Sequence, residues 1–372
     1  MRIVVAAAHP ADSLKAHAIN TVKMAAGFHR LGHDVTVVVV AGEGPVDAAG
    51  FAERYAVSEE IELVQVSRRR DRLGRRFDPH MRFARRAMRA VQRIGPDALY
   101  ARSFAVPLLA ARAGLRVALE SHAPVGTATK AFGLGVQASR LPAFRAWTTI
   151  SPVLADYYAS VGVPRSRLLV LPDAVDCEQF TPPPEPTASP YDGPGPRLVY
   201  AGHLYDYKGI PTVIDAATRL PGVRFELVGG TPRDVERQRD LAARRGAANV
   251  RFHGQQDQRA LPPYLWHADA ALLPPSAQHP SAQWTSPVKL GEYLAAGKPV
   301  IASDIPALRH WLTDREVIFF APDRGDALAE AIEHCLGHAA EMRRRAQDGQ
   351  RLAARMSYAR RAQAIWSRLG EP

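Results

Sequence analysis

One segment, WTSPVKLGEYLAAGKPVIASD from Trp284 to Asp304, limits what this chain can fold into more than any other. It reads as a loop, a helix, a glycine stop and a buried strand, the repeat of a parallel αβ unit. Thr285 or Ser286 can cap the helix, Pro287 suits its first turn, and Gly297 with Pro299 ends it. The backbone N–H groups of such a helix start form an anion site, to which the neighbouring Lys289 adds a charge. Glu292 follows one turn later. An anion site and then a carboxylate suits a phosphate joined to a polyol, and so a nucleotide-linked sugar. The same pattern, taken alone, also fits an ordinary αβ unit with no ligand.

At 372 residues the chain is too long for one ordinary core and suits two domains. The first half alternates apolar strands (Ile3 to Ala8, Val35 to Val40, Ile61 to Val66, Ala98 to Tyr100, Arg116 to Leu119, Trp147 to Ile150) with helical stretches. The first helix runs to about Leu31, with Ile19, Val22, Ala26 and Phe28 inward. After Asp176 the prolines crowd together (Pro182, Pro183, Pro184, Pro186, Pro190, Pro194, Pro196), which predicts a linker or hinge. Strands and helices then resume from Leu198. The expected layout is a first domain over 1–180, a linker over 181–196, a second domain over 197–352, and a C-terminal helix over 353–372 that returns to the first domain. The fold class is α/β: two Rossmann-like, doubly wound domains facing a cleft, where ligands bind at strand carboxyl ends.

No stretch approaches twenty uninterrupted apolar residues, and the N-terminus enters a strand at once, without a signal-peptide layout. Cys177 and Cys335 make neither a disulfide framework nor a metal-ligand cluster. These features give a cytoplasmic expectation, with the inner membrane face as a peripheral location. The net charge of +11 owes much to Arg68, Arg69, Arg70, Arg72, Arg75, Arg76, Arg82, Arg85, Arg86, Arg89 and Arg93. Asp78 to Arg93 reads as a helix with Met81, Ala84, Met88 and Val91 on one side. Its arginines form a solvated face or a surface for anionic lipid. Nucleic acid is not expected, since no nucleic-acid module accompanies the charge. There is no Asp-x-Asp pair, P-loop, nucleophile elbow or zinc spacing.

Three further places carry candidate chemistry. Gly202-His203-Leu204-Tyr205-Asp206-Tyr207-Lys208-Gly209 follows a strand, so Lys208 and a helix start can act on one diphosphate; a plain βα turn is the alternative. Val117-Ala118-Leu119-Glu120-Ser121-His122 ends a strand in a histidine, which is structural or faces a ligand. The turn His9-Pro10-Ala11-Asp12-Ser13 with His17 forms a polar, proton-exchanging rim. There Asp12 or His17 would assist deprotonation of an acceptor, or Asp12 or Ser13 would simply cap the helix.

These segments, in this order, resemble the family 4 retaining glycosyltransferases (glycosyltransferase group 1, GT-B fold). The segment around Glu292 is similar to that family's Glu, seven residues, then Glu-Ala-Met-Ala-x-Gly-x-Pro-Val. Glu292 stands at the second glutamate and Trp284 at the first. The segment 202–209 resembles Gly-Arg-Leu-x-x-x-Lys-Gly, with His203 at the arginine. Histidine is mostly neutral at pH 7 where arginine is always charged. The weaker echoes are Gly32-His33-Asp34-Val35, Ile150-Ser151-Pro152, Pro172 to Asp176, Gly229-Gly230-Thr231 and Phe252-His253-Gly254.

The resemblance implies metal-independent transfer, with retained configuration, from a nucleoside diphosphate sugar to a small polar or lipid-linked acceptor. The setting would be natural-product or cell-envelope assembly. It makes His122, Lys208 and Glu292 catalytic. Gly202, His203, Lys208, Gly230, His253, Trp284, Thr285, Ser286, Val288, Lys289 and Glu292 would line the donor, and His9, Asp12, Ser13 and His17 the acceptor. No cofactor is implied; the nucleotide sugar is a co-substrate, with uridine diphosphate as the family's usual carrier. Trp284 and His203 keep a second expectation open, a non-catalytic nucleotide-sugar-binding protein. A nucleotide-sugar epimerase of similar shape is a third.

Overall fold

The computed structural model describes residues 1–13, 15–44, 46–67, 79–125 and 130–370. The chain divides into two compact units, one of Met1–Pro172 with Tyr358–Pro372 and one of Asp173–Ser357.

The first unit is built on seven strands: β1 (Arg2–Pro10), β2 (Asp34–Val40), β3 (Glu62–Val66), β4 (Ala98–Ala101), β5 (Arg116–Ser121), β6 (Phe144–Thr149) and β7 (Leu168–Val170). They lie in the order β3-β2-β1-β4-β5-β6-β7, every neighbouring pair parallel. Ile3 to Ala7 are all buried, as a strand covered on both faces requires. The strand order reverses direction between β1 and β4, so the carboxyl ends of these two strands flank a topological switch point. The helix Pro79–Ile94 buries Phe83, Ala84, Ala87, Met88 and Val91 and exposes Arg85, Arg89 and Arg93. Arg68, Arg69, Arg70, Arg72, Arg75 and Arg76 lie outside the described residues.

The C-terminal helix Tyr358–Gly370 belongs to this unit. It buries Ala362, Ile365 and Leu369, and Trp366 meets the His33 ring at 4.2 Å. Its anchor is Arg361, a buried residue that donates to Leu171 O (2.8 Å), to Pro172 O and to Glu120 Oε2 (2.9 Å). Glu120 is wholly buried and also takes the Tyr100 hydroxyl and the His122 ring, with Arg102 Nε at 3.8 Å. Burial opposes ionisation of this carboxyl, but Arg361, His122 and Arg102 outweigh it and hold Glu120 well below the usual carboxylate range.

The second unit has six strands: β8 (Arg197–Ala201), β9 (Arg224–Val228), β10 (Val250–Gly254), β11 (Ala270–Leu273), β12 (Val300–Ser303) and β13 (Ile318–Phe320). Their order is β10-β9-β8-β11-β12-β13, again all parallel, with the switch point between β8 and β11. Alternation along β8 sends Leu198 and Tyr200 into one apolar cluster and Val199 and Ala201 into the other, so both faces are covered. Tyr293 joins the second cluster and its hydroxyl bonds both polar groups of Ala201, accepting from N at 2.7 Å and donating to O at 3.2 Å.

The chain passes between units at Pro172–Asp173 and returns at Ser357–Tyr358, which moves the expected boundaries at 180 and 353 to 172 and 358. The proline-rich interval is not the crossing; it lies inside the second unit. Tyr191 is buried there and donates to Tyr264 O at 2.6 Å, which anchors the interval, while Pro182, Pro183, Pro184, Pro186 and Pro194 stay exposed.

Two stability measurements test this packing. Arg361→Ala leaves the buried Glu120 carboxylate short of its main counter-charge, and urea unfolding at pH 7 should show a loss of about 3–5 kcal/mol in the first unit. Glu120 titrates lower folded than unfolded. Its contribution is therefore present above its unfolded value of about 4.3 and lost as pH falls through the folded value. The difference between the two proteins should narrow on acidification. Tyr293→Phe should cost about 1–3 kcal/mol in the second unit, because the Ala201 amide loses its partner in an apolar setting; an unchanged unfolding midpoint would refute that account.

Candidate functional site

The loop after β8 holds its path through contacts with the loops after β9 and β11. Gly229, at φ +118°, lies so close to Gly202 that a Cβ would sit 2.2 Å from its carbonyl oxygen. Gly209, at φ +81°, caps the helix Ile210–Arg219, and a Cβ there would come within 1.7 Å of Pro274 O. Only glycine fits either place. Polar braces complete the loop: Tyr200 Oη donates to His203 O (2.8 Å), and Gln238 Nε2 donates to Leu204 O (2.9 Å) and Asp206 Oδ1 (2.8 Å). Gly230, also at positive φ, packs against Leu204.

Four rings stack along this loop and onto the next. His203 lies on Tyr205 (5.0 Å, 9°), Tyr205 beside Tyr207 (5.5 Å, 28°), and Tyr207 on His279 (4.2 Å, 19°). Lys208 Nζ stands 5.2 Å from the Tyr207 centroid. Burial lowers the Lys208 pKa, so its ammonium is poorly solvated and stands to gain from an anion. Sequence reasoning misses the ladder, because Tyr207 sits in the 3-10 turn Asp206–Lys208 and His279 comes from another loop, so no single spacing encodes it.

His279 caps the short turn Pro280–Gln283, which ends at Trp284. The helix that follows is Val288–Ala295, with Pro287 at its N-cap and no side-chain cap. Neither Thr285 nor Ser286 caps it, contrary to the sequence expectation. Ser286 is buried one residue too early, and its Oγ accepts instead from Asp173 N (2.8 Å). The first N–H groups of the helix, from Val288 onward, are therefore not covered by a side-chain cap. Lys289 Nζ lies 3.0 Å from Glu292 Oε2, and that carboxylate is buried. His203 feels burial first, then the charges of Lys208 and Lys289, all lowering its pKa, with Asp234 opposing. Lys208, on the same loop, and Lys289, on the first turn of the helix after β11, thus both act electrostatically on His203. His253 takes other partners: its Nε2 meets the buried Glu226 Oε2 at 2.7 Å, and its ring lies edge-on to Tyr191 and Tyr264.

In the first unit, His9 is the penultimate residue of β1 and is buried, whereas the expectation was a polar, proton-exchanging rim. Its Nδ1 donates to Pro10 O (2.9 Å), and its Nε2 has no protein partner among the described residues. Burial, helped by His17 and Arg102 and opposed by the Pro10 bond, pulls His9 down to about 4, so the ring is neutral at pH 7. His17, on the first turn of the helix Ala16–His29, faces His9 edge-on at 5.5 Å. Burial, Arg102, Lys15 and His122, in that order, lower its pKa. His9, His17, Arg102 and His122 thus gather at the carboxyl ends of β1, β4 and β5. Lys15, not Asp12 or Ser13, is the helix N-cap. The Asp12 carboxylate accepts from Glu43 N (2.8 Å), bracing the loop after β2, and Ser13 Oγ accepts from Lys15 N (3.4 Å).

Among the described residues no group of three or more His, Cys, Asp or Glu could hold a metal ion, and no helix is long and apolar enough to cross a membrane. Neither Cys177 nor Cys335 forms a disulfide among the described residues; Cys177 Sγ donates to Ala353 O at 3.4 Å, and Cys335 is buried.

Comparison with known proteins gives a consistent placement. Residues 19–179 match the model of the Glycosyltransferase Family 4 domain, and residues 195–338 that of the Glycosyl transferases group 1 domain. The chain is 31% identical over 177 residues to a phosphatidyl-myo-inositol mannosyltransferase of Mycobacterium tuberculosis, covering 45% of this chain and 43% of that protein. It therefore spans less than half the length of the curated relative it matches. Its fold is similar to those of a glycosyltransferase from Rickettsia africae (TM-score 0.75, 13% identity, 100% of this chain and 99% of that one) and of Anabaena HepE, solved with UDP (TM-score 0.75, 17% identity, 100% of both). With two family models matching its two units in sequence order and the paired parallel sheets of these neighbours, the chain belongs to the group 1, family 4 glycosyltransferases of GT-B fold.

Proposed function

We propose that the chain moves a sugar from a nucleoside diphosphate sugar to a hydroxyl of an acceptor, with retained anomeric configuration and without a metal. The observation that carries this reading is the convergence of His203, Lys208 and Lys289 beside a helix start without a side-chain cap. Two ammonium groups acting on one ring, and backbone N–H groups at the start of the helix that carries Lys289, suit a diphosphate. The absence of an Asp-x-Asp pair supports neutralisation by lysines rather than by a chelated metal. Uridine as the base draws on HepE, solved with UDP and with UDP-glucose.

Each residue then has a task. Lys208 and Lys289 hold the diphosphate charge, which grows as the bond from the anomeric carbon to the phosphate oxygen breaks. Glu292 accepts from the ribose hydroxyls while remaining against Lys289. His122, its ring oriented by Glu120, takes a hydroxyl of the transferred sugar. The acceptor oxygen bonds the anomeric carbon on the same face, and its proton passes to the departing diphosphate. The protein chiefly supplies geometry and charge. The His9–His17 cluster is assigned to a small polar or lipid-linked acceptor, and the exposed Arg85, Arg89 and Arg93 to peripheral contact with anionic lipid.

Trp284 and His203 favour a second reading, donor binding without transfer. Calorimetric binding of a nucleotide sugar with neither transfer nor donor hydrolysis would select it.

Under the first reading, Lys208→Ala should reduce kcat/KM by about 2–3 kcal/mol of charge stabilisation, roughly 30- to 150-fold. Unchanged turnover would remove Lys208 from the mechanism. In a thermal-shift panel of nucleoside diphosphates and their sugars, a true donor at about a hundredfold above its Kd should stabilise by about 2.7 kcal/mol. Flotation with anionic liposomes should show association that weakens between low and high salt; salt-independent behaviour would make the arginine face a solvated surface only.

A further inference from the structure

The positive cluster in the second unit contains one member that is not permanently charged. His203 is exposed to solvent, yet its placement is fixed: Tyr200 holds its carbonyl at 2.8 Å and Tyr205 stacks on its ring at 5.0 Å and 9°. The charged groups that act on the ring come from three elements. Lys208 lies on its own loop, Lys289 on the helix Val288–Ala295, and Asp234 on the helix Pro232–Arg245. Lys289 is partly offset by Glu292. Asp234 is partly spent on Thr231, whose hydroxyl donates to it at 2.7 Å, and on Arg237 at 3.8 Å.

Two ammonium groups against one engaged carboxylate disfavour a third cation. Partial burial of the ring and the two lysines keep it below the ordinary histidine value, so in the free protein it is mostly neutral near pH 7. A diphosphate diester brings two negative charges into this field and reverses its sign. A charged imidazole donates stronger hydrogen bonds than a neutral one and adds its charge to theirs.

We propose that His203 binds the donor's diphosphate as an imidazolium formed on binding, so that capture of the nucleotide sugar takes up one proton from solvent. The inference rests on the diphosphate reading of this loop. The proton moves from buffer to a ring nitrogen, and no bond of the donor changes. Affinity should be constant at pH values where the free ring is already charged. It should fall as pH rises from the free-state titration towards that of the complex.

The test is calorimetric titration of the full chain with UDP-glucose, GDP-mannose and ADP-glucose at pH 7.5, in HEPES and in Tris, whose ionisation enthalpies differ. The diphosphates of these donors are diesters with no proton to exchange near neutrality, so buffer-dependent heat reports protonation of the protein. The expected result is a heat that differs between buffers and corresponds to uptake of up to one proton. His203→Arg and His203→Gln should both abolish the difference. The arginine variant should keep its affinity, and the glutamine variant should bind roughly ten- to a hundredfold more weakly. Heat that does not depend on buffer, or a dependence that survives in the glutamine variant, overturns the proposal while the diphosphate reading stands. Failure of all three donors to bind overturns both.

Discussion

Close backbone contact at the carboxyl end of the second sheet is the constraint on which the candidate site depends. Gly229 presses on Gly202, and Gly209 presses on Pro274, so the loops after β8, β9 and β11 share one small volume. Any side chain at either glycine would separate them. Because they are held together, Lys208, on the loop after β8, and Lys289, two elements beyond β11, act on the same ring of His203. The chemistry proposed for the unit is a consequence of that backbone geometry. Lysine side chains are long and mobile, and only their fixed starting points make their charges converge.

The first unit is organised by a different interaction. One buried carboxylate, Glu120, gathers Arg361, His122, Arg102 and the Tyr100 hydroxyl. Arg361 also bonds the last two carbonyls before the chain leaves the unit, at Leu171 and Pro172. The returning C-terminal helix is thus fastened to the outgoing chain and, through Glu120, to the orientation of His122. A buried charge is costly unless several partners satisfy it. That cost explains why the network is so fully bonded, and why the helix from Tyr358 belongs to a unit more than 180 residues earlier in sequence.

Under the proposed function, a histidine where the resemblance expects an arginine changes the character of the anion site without removing it. The aromatic ladder from His203 to His279 holds the ring in place, and burial with the two lysines lowers its pKa. In the proposed site, permanent charge is exchanged for charge that depends on the ligand.

Much of this was legible in the chain because it is local. Continuous apolar runs such as Ile3 to Ala8, glycine stops such as Gly297, and the order of the motifs determine two doubly wound parallel sheets, since their cause is periodicity and backbone conformation within a few residues. The places of Lys208, Lys289 and Glu292 near helix starts were likewise legible, for the same local reason. Tertiary structure alone decided what depends on distant partners. Ser286 turned to the Asp173 amide and did not cap its helix; His253 was drawn to Glu226; His9 was buried; the proline-rich interval was anchored through Tyr191. The Glu120–Arg361 pair spans 241 positions, and no local pattern encodes it. Local propensity sets which elements form, while the partners of a polar side chain are set by desolvation and by whichever groups the sheet order brings beside it.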